Sequence, residues 1–407
     1  MKQRNYLLED IKKVSSEENK GHRSIAIFLL ACCTLFLCAA ALFEWNSINS
    51  YVSYNTETMH YVKAQVVRIE KETLEYSRED QRYLGTQTLT VQLMEGNEKG
   101  EEIEIDNYLT RIHNIHVSQG SRIIVCADTP QDAAPYYTVF NYDRSISLLA
   151  LIIVFFIVMV LIGKKKGIYS LLGMAFTLLI VVLFMVQAIY HGWQPVLVTV
   201  LTILLSAIVT LVLLNGAGEK TRVSFLSTLA GVCVTGILFA IFSAFLHLSG
   251  YNMDTAETLL MVGEATGLSI QSLLLCSVLI SALGAVMDVA VSLSAAMAEL
   301  IAVQPDISRS ALVHCGLNIG KDMIGTMSNT LILAYTGTAL NTMLCLIAYG
   351  YQVNQLLNSD YLTIELVQAL CATIGVVLTV PITAAVAAAL YTRISSPSIK
   401  EVQNKNS

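Results

Sequence analysis

Long apolar stretches recur along this sequence, and each is long enough to cross the ~30 Å hydrocarbon core of a bilayer as a helix. Hydrophobic residues make up 54% of the 407 residues and charged residues only 14%, a balance far from that of a soluble protein. We therefore expect an integral membrane protein with eight spans, at about Ser24–Phe43, Ile146–Gly163, Ile168–Tyr190, Pro195–Leu214, Val223–Leu248, Leu273–Val303, Met323–Tyr349 and Leu366–Tyr391.

Lys and Arg predict how these spans are oriented. They occur in the N-terminal segment, in the Lys164–Lys166 run, and after the fourth, sixth and eighth spans. The loops 190–195, 249–272 and 350–365, on the opposite side, contain neither. Because short cytoplasmic loops carry the excess of positive charge, we expect eight crossings with both termini inside. The parts are a cytoplasmic segment at 1–23, an anchor at 24–43, a seven-helix bundle at 146–391 and a cytoplasmic tail at 392–407.

The first span is interpreted as an uncleaved anchor. A signal-peptide core has roughly 7–15 apolar residues, and the apolar run of Ser24–Phe43 is longer than that. With either interpretation, the segment that follows it lies outside.

That segment, residues 44–145, is polar and large enough for one small domain. Period-two alternation predicts five short strands separated by polar turns. They lie at Val62–Val66, Leu89–Leu93, Ile103–Ile105, Arg122–Ala127 and Tyr136–Phe140. Five strands in this length favour a small β-rich external domain, with an OB-like barrel as one candidate.

The external segment is also acidic. Sixteen Asp and Glu against nine Lys and Arg give it a net charge of −7, which either gathers cations near the membrane or serves only as a soluble surface. His113 and His116 form an H-x-x-H pair. No Cys or carboxylate constellation with metal-ligand spacing accompanies them, so we expect no metal site.

Asp288 lies in the middle of the sixth predicted span. A carboxylate at the centre of a bilayer costs at least ~2.5 kcal/mol, so such residues generally face a bundle interior and mark a site. Helical spacing places five small or polar residues on its face, while the large aliphatic residues lie off it. The face is either a packing seam with one hydrogen-bonded acid or part of an ion or substrate site, and we favour the second. Its other members are Ser281, Ala285, Ser292, Ala295 and Glu299.

The seventh span is preceded by three glycines within ten residues, Gly316, Gly320 and Gly325. Transporters tolerate broken helices at such places, where freed backbone groups bind ions and substrates. We therefore predict a short cytoplasmic helix that ends at Gly316 and a glycine-broken start to the span. Polar residues follow on or near one face, although buried Asn and Thr can also act only as links between helices. The predicted path consists of Asp288, Ser281, Ser292, Asp322, Thr326, Asn329 and Thr330.

Two stretches resemble the YibE/F family of multi-span bacterial membrane proteins. They are Gly284–Ser292, followed by Glu299-Leu300, and Gly316–Tyr335. The resemblance extends from about Ile146 to Tyr391, and members of the YibE type carry an external domain ahead of the bundle. It implies a multi-pass protein of a Gram-positive type of plasma membrane. It implies no substrate or activity.

The residues favour a transporter or permease of undetermined substrate. The alternative is a non-transporting envelope scaffold or receptor that acts through the external domain and a partner membrane protein. An intramembrane aspartyl enzyme is disfavoured, because Asp322 is predicted near the cytoplasmic end of its span and Asp288 near mid-bilayer.

Neither a catalytic motif nor a phosphate-binding loop occurs. We therefore expect no enzymatic activity and no cofactor. The expected partners are the lipid bilayer and either a second copy or another membrane protein of the same family. Nothing in the sequence indicates a nucleic acid.

Overall fold

The computed structural model describes residues 58–96, 98–130, 134–251, 259–263 and 267–404, with side chains as far as Thr392. The predicted cytoplasmic segment 1–23 and the predicted anchor at 24–43 lie outside the described residues, as do the side chains of the predicted tail beyond Thr392. The chain divides near Leu161 into two compact units, a β domain and a helical bundle.

The β domain consists of five antiparallel strands in the order β3-β2-β1-β4-β5. This confirms the five strands predicted from the period-two pattern. The long β1 pairs with β2 along one edge and with β4 along the other, and register shifts after Val66 and Ile69 let it bend. The sheet curls into a half-barrel in which β3 and β5 approach each other across a seam. The strands are Met59–Ser77 (β1), Arg82–Leu93 (β2), Glu102–Leu109 (β3), Arg122–Asp128 (β4) and Tyr136–Tyr142 (β5).

Alternate residues of the strands fill the half-barrel. Ala64, Leu89, Val91, Ile123 and Val125 have no solvent-accessible surface. Burying each of the larger side chains contributes about 1.5–3 kcal/mol. Because the side-chain period of a strand is two, the same residues that predict the strands also form the core.

A buried polar pair fixes the β3–β4 connection inside this core. Gln87 Nε2 donates to Val117 O at 3.0 Å, and the Val117 N–H donates to Gln87 Oε1 at 3.2 Å. Asn107 Nδ2 donates to Gln87 Oε1 at 3.1 Å and to Ile115 O at 2.7 Å. The connection is not part of a β ladder, so the side-chain amides of Gln87 and Asn107 form the hydrogen bonds that its buried backbone groups at Ile115 and Val117 need.

The described chain is helical from Ser145 onward, and the first part of the first helix, as far as Leu161, belongs to the same compact unit as the β domain. After a first helix, a π-helical turn at Val181–Met185 leads into a short second one. The helices are Ser145–Ile180 (α1), Val186–Tyr190 (α2), Pro195–Asn215 (α3), Glu219–Phe245 (α4), Ile270–Val303 (α5), Arg309–Ala348 (α6), Val353–Leu357 (α7) and Asp360–Asn404 (α8).

Within the described residues, six helical stretches are long and apolar enough to cross a membrane. The first, Ser145–Tyr190, has 46 residues, about twice what one crossing needs. Its backbone leaves helical geometry at Lys164 (φ 49°, ψ −130°), in the basic run between the second and third predicted spans. The interruption therefore separates two stretches that each match one predicted span.

The core of the bundle forms where α4, α5, α6 and α8 pack together. Val286, Leu293 and Met297 of α5 are completely buried in it. Glycines bring α4 and α8 into close contact, because a Cβ added at Gly375 would overlap Thr235 Oγ1 and one added at Gly231 would overlap Thr379 Oγ1. Small residues are common at helix crossings in membranes. Lipid tails are as apolar as the side chains, so the hydrophobic effect does not drive helices together there and close van der Waals packing does.

The predicted break at the start of the seventh span is wrong. Helix α6 runs without interruption from Arg309 to Ala348. Gly316 and Gly320 are buried packing positions instead: a Cβ at Gly316 would lie 2.7 Å from Met297 Sδ, and one at Gly320 would overlap Val380 Cγ1. A glycine inside a helix costs about 1 kcal/mol relative to alanine, and here the close approach to α5 and α8 offsets it. Gly325 is exposed and also helical.

We expect Gly320→Ala to destabilise the bundle by ~1–3 kcal/mol, because the added methyl overpacks against Val380. Gly325→Ala is the matched control on the same helix, since nothing lies within 4 Å of its added Cβ. It should be neutral or stabilise by about 0.5–1 kcal/mol. Steric-trapping measurements of unfolding in micelles check both. Equal effects of the two substitutions would contradict the packing role, and Val380→Ala should rescue Gly320→Ala.

We expect Gln87→Leu to loosen the β3–β4 connection, because it leaves both buried backbone groups of Val117 without partners. A decrease of about 2 kcal/mol in the free energy of local opening corresponds to roughly 30-fold faster amide exchange across residues 110–118. Hydrogen-exchange mass spectrometry of the full-length protein measures this. Gln92→Leu, which changes an exposed amide on the same strand, should leave the exchange unaltered.

Candidate functional site

Asp288 lies on the exposed face of α5. Ser292 is exposed one turn after it, and Ser281 is exposed two turns before it. Val289 and Leu293, on the opposite side, are completely buried. The two faces of α5 therefore differ as its helical spacing predicts: large aliphatic residues lie in the core, and small polar residues lie outside it.

The Asp288 carboxylate has no partner in the described part of the chain. No side chain and no backbone N–H donates a hydrogen bond to it, and no Lys or Arg pairs with it. The packing-seam interpretation requires an acid that is hydrogen-bonded within the protein, and the described residues supply no such bond. Since a lone carboxylate facing lipid is costly, the face requires protein or water against it.

Near the N-terminal end of α5, polar side chains join three helices. Ser281 Oγ and Tyr335 Oη of α6 are 2.6 Å apart, and Gln368 Nε2 of α8 donates to Ser277 Oγ at 3.0 Å. Glu365 lies half-buried one turn before Gln368 and accepts no hydrogen bond from the described residues. This end of the bundle is the one predicted to face outward.

The other end of α5 is tied to α4 and α8. Lys220 Nζ lies 3.0 Å from Glu299 Oε1, and both side chains are exposed, so the pair contributes about 0–1 kcal/mol. Beneath it, Ser224 Oγ and Ser294 Oγ are 2.6 Å apart, and Tyr391 Oη donates to Ser294 O at 3.2 Å. Glu299 therefore has a counter-charge, whereas no described Lys or Arg pairs with Asp288 on the same face.

The predicted polar residues of α6 are also exposed. Thr326 Oγ1 donates to Met323 O at 3.0 Å, and Thr330 Oγ1 donates to Thr326 O at 2.9 Å, so both hydroxyls are satisfied by their own helix. The side chains of Asp322 and Asn329 make no hydrogen bond with the described residues. They resemble Asp288 in being polar, exposed and without a partner among the described residues.

The polar faces of α5 and α6 lie at the same depth of the bundle. The two helices run antiparallel and meet at Ser281 with Tyr335 and at Met297 with Gly316. Asp288 lies between these two contacts along α5, as Thr326 and Asn329 do along α6. Hydrogen bonds among the described residues join Ser281 to α6 but join none of the other predicted path residues across the two helices. Those other residues are Asp288, Ser292, Asp322, Thr326, Asn329 and Thr330.

The sequence pattern missed Tyr335, Glu365 and Gln368. Tyr335 lies off the polar face of α6, so no periodic signal marks it. The hydropathy pattern places Glu365 in a loop, because it predicts that the last span begins at Leu366, whereas α8 begins at Asp360. The three-residue spacing of Glu365 and Gln368 is the signal that would have placed both on one helical face.

The described residues contain no group of three or more His, Cys, Asp or Glu that could hold a metal ion. In the H-x-x-H pair, His113 Nε2 lies 3.0 Å from Val139 O and His116 Nε2 lies 3.4 Å from Glu72 Oε1. The two rings therefore engage separate partners.

We expect Ser281 and Tyr335 to be energetically coupled. A double-mutant cycle with Ser281→Ala and Tyr335→Phe should give a coupling energy of ~0.6–2 kcal/mol, the range for hydrogen bonds between helices in membranes. Unfolding of the protein in bicelles measures it. Tyr349→Phe, at an exposed phenol on the residue that caps the C-terminus of the same helix, should show no coupling to Ser281→Ala. Zero coupling at Tyr335 would show that the contact carries no energy.

Comparison with family models gives two adjoining matches. The description "YibE/F-like protein" matches residues 151–393, and "YibE/F family N-terminal domain" matches residues 53–138. Curated proteins and solved structures give no match. The first match covers more than half of the chain and includes every residue of the polar faces of α5 and α6, while the second covers most of the β domain. The chain therefore belongs to the YibE/F-like protein family.

Proposed function

We propose that this chain is a secondary transporter or permease in which Asp288 binds the coupled cation. The observation that carries the proposal is the carboxylate itself, exposed near the middle of α5 without a hydrogen bond or counter-charge from the described residues. Ionisable residues within membrane spans generally line cavities or pathways for ions and substrates. The remaining path residues are Ser281, Ser292, Asp322, Thr326, Asn329 and Thr330.

The free polar groups of α6 support a path over a purely structural role. If these residues served only to link helices, their side chains would hydrogen-bond across the α5–α6 contact. Asp322 and Asn329 make no such bond to the described residues. Both remain available to a ligand, Asn329 close to the depth of Asp288 and Asp322 nearer the end of α6 that is predicted to be cytoplasmic.

The partner that covers this face is proposed to be a second bundle of the same family. A path on the outer surface of one protomer would be open to lipid along its side, and lipid cannot satisfy Asp288 or Asn329. Small residues on α5 would let another helix approach closely: nothing lies within 4 Å of a Cβ added at Gly284. A second copy and a different family member meet this requirement equally.

The proposed role involves no covalent chemistry. An intramembrane aspartyl enzyme needs two carboxylates that share a proton, and no hydrogen bond joins Asp288 to Asp322 or to Glu365 among the described residues.

The proposed location is a plasma membrane, with both termini in the cytoplasm and the β domain outside. The basic residues support this orientation: Lys164, where the helical backbone breaks, and Lys220, at the start of α4, both lie at connections predicted to be cytoplasmic.

A transport assay with Asp288→Asn tests the proposal. Proteoliposomes under an inward proton or Na⁺ gradient are incubated with a defined mixture of amino acids, sugars, nucleosides and organic acids, and the lumen is analysed by mass spectrometry. The unsubstituted protein should accumulate at least one compound. Asp288→Asn should reduce this accumulation at least about tenfold, a loss of ~1.4 kcal/mol, because the amide cannot bind a coupled proton or neutralise a metal cation.

Asp306→Asn is the control for the loss of one carboxylate. Asp306 lies exposed in the connection between α5 and α6, away from the proposed path. Accumulation that is unchanged by Asp288→Asn, or an unsubstituted protein that accumulates no compound under either gradient, would count against transport. Either result would favour the scaffold or receptor alternative.

A further inference from the structure

The β domain carries a groove that the proposed transport path does not use. It has a volume of about 390 Å³ and lies at the seam where β3 faces β5. Small-molecule sites occupy ~300–1,000 Å³. The groove is therefore large enough for one small organic molecule.

Aromatic rings form much of its wall. Tyr61 and Phe140 have their ring centroids 4.8 Å apart at an interplanar angle of 69°, so the two rings form a corner. Tyr108 lines the groove from β3. The exposed fractions of these residues are 48% for Tyr61, 52% for Tyr108 and 51% for Phe140, so none of the three rings is buried in the core.

Among the described residues that line the groove, Asp106 is the only one with a formal charge. Asp106 Oδ1 accepts a hydrogen bond from Thr88 Oγ1 at 2.9 Å, while Oδ2 accepts none from the described residues. No Lys or Arg lines the groove, and none forms an ion pair with Asp106 in the described part of the domain. The predicted external segment as a whole carries a net charge of −7.

The seam is held in shape by a residue of the β3–β4 connection. His113 Nε2 lies 3.0 Å from Val139 O, a distance at which the ring donates a hydrogen bond to β5. His113 also lines the groove. The separation of its two sides is therefore set before any ligand binds, which lowers the entropic cost of binding.

We propose that this groove binds a quaternary ammonium cation. Aromatic faces attract such cations through the ring quadrupole and surround their apolar methyl groups, and a neighbouring carboxylate supplies the counter-charge. The absence of a basic residue from the lining disfavours an anion, which the net charge of the domain would also repel. The site does not depend on Asp288 or on transport.

Calorimetric titration of the full-length protein in a nonionic detergent tests the proposal, with choline as the probe. 3,3-Dimethyl-1-butanol has the same shape as choline without its charge, and it should bind at least about tenfold more weakly if the charge is recognised. Asp106→Asn should weaken choline binding about tenfold, and Tyr108→Leu about fivefold. Circular dichroism melts verify that the variants are folded.

Matched controls separate the groove from the general charge of the domain. Glu104→Gln removes one negative charge two residues away on the same side of β3, outside the groove, and should leave choline affinity unchanged. Tyr76→Leu removes an exposed phenol elsewhere in the domain and should likewise have no effect. Equal effects of Glu104→Gln and Asp106→Asn would overturn the site, as would equal affinity for choline and its neutral analogue, or no choline binding by the unsubstituted protein.

Glycerophosphocholine distinguishes two sources of the same chemical group. Binding at least as tight as that of choline assigns the groove to a choline headgroup carried on a phosphodiester. Binding about tenfold weaker assigns it to the free cation, because the phosphate meets the negative charge of the domain.

Discussion

The need to satisfy a carboxylate within a membrane determines which face of α5 can pack into the core of the bundle. Asp288 can face neither hydrocarbon nor the aliphatic core of its own protomer without a large cost in free energy. Helix α5 meets this constraint by turning its large aliphatic residues inward against α4 and α8, which leaves Asp288 on the opposite side. Packing of the core and exposure of the acid are therefore two consequences of one helical face pattern.

The strands and the α5 faces could be predicted because burial follows a simple period in both. Alternation at Ala64 and Val66 predicts a strand and also its buried side, and the three- and four-residue spacing around Asp288 predicts both faces of α5. Glycine carries no such information. In the sequence, Gly320 is compatible with either a helix break or a helix crossing. Only the contact with Val380 in the structure shows that it is a helix crossing.

The remaining parts of the candidate site depend on contacts between distant segments. Tyr335 meets Ser281 because α5 and α6 run antiparallel in contact, and Gln368 meets Ser277 because α8 packs beside them. Neither contact can be predicted from the local sequence pattern. The groove of the β domain has the same origin, since Tyr61, Tyr108 and Phe140 belong to three strands that only the curl of the sheet brings together.

The most direct test asks what covers the α5 face. A spin label at Gly284→Cys, one turn before Asp288, is compared with one at native Cys233 on α4, each in a background without the other cysteines. The two positions lie at equal depth because Gly231 of α4 packs against Val286 of α5, and both are exposed in the protomer. In lipid nanodiscs, the label at Gly284→Cys should be far less accessible to dissolved oxygen than the label at Cys233. Equal oxygen accessibility would place the α5 face against lipid and contradict the account.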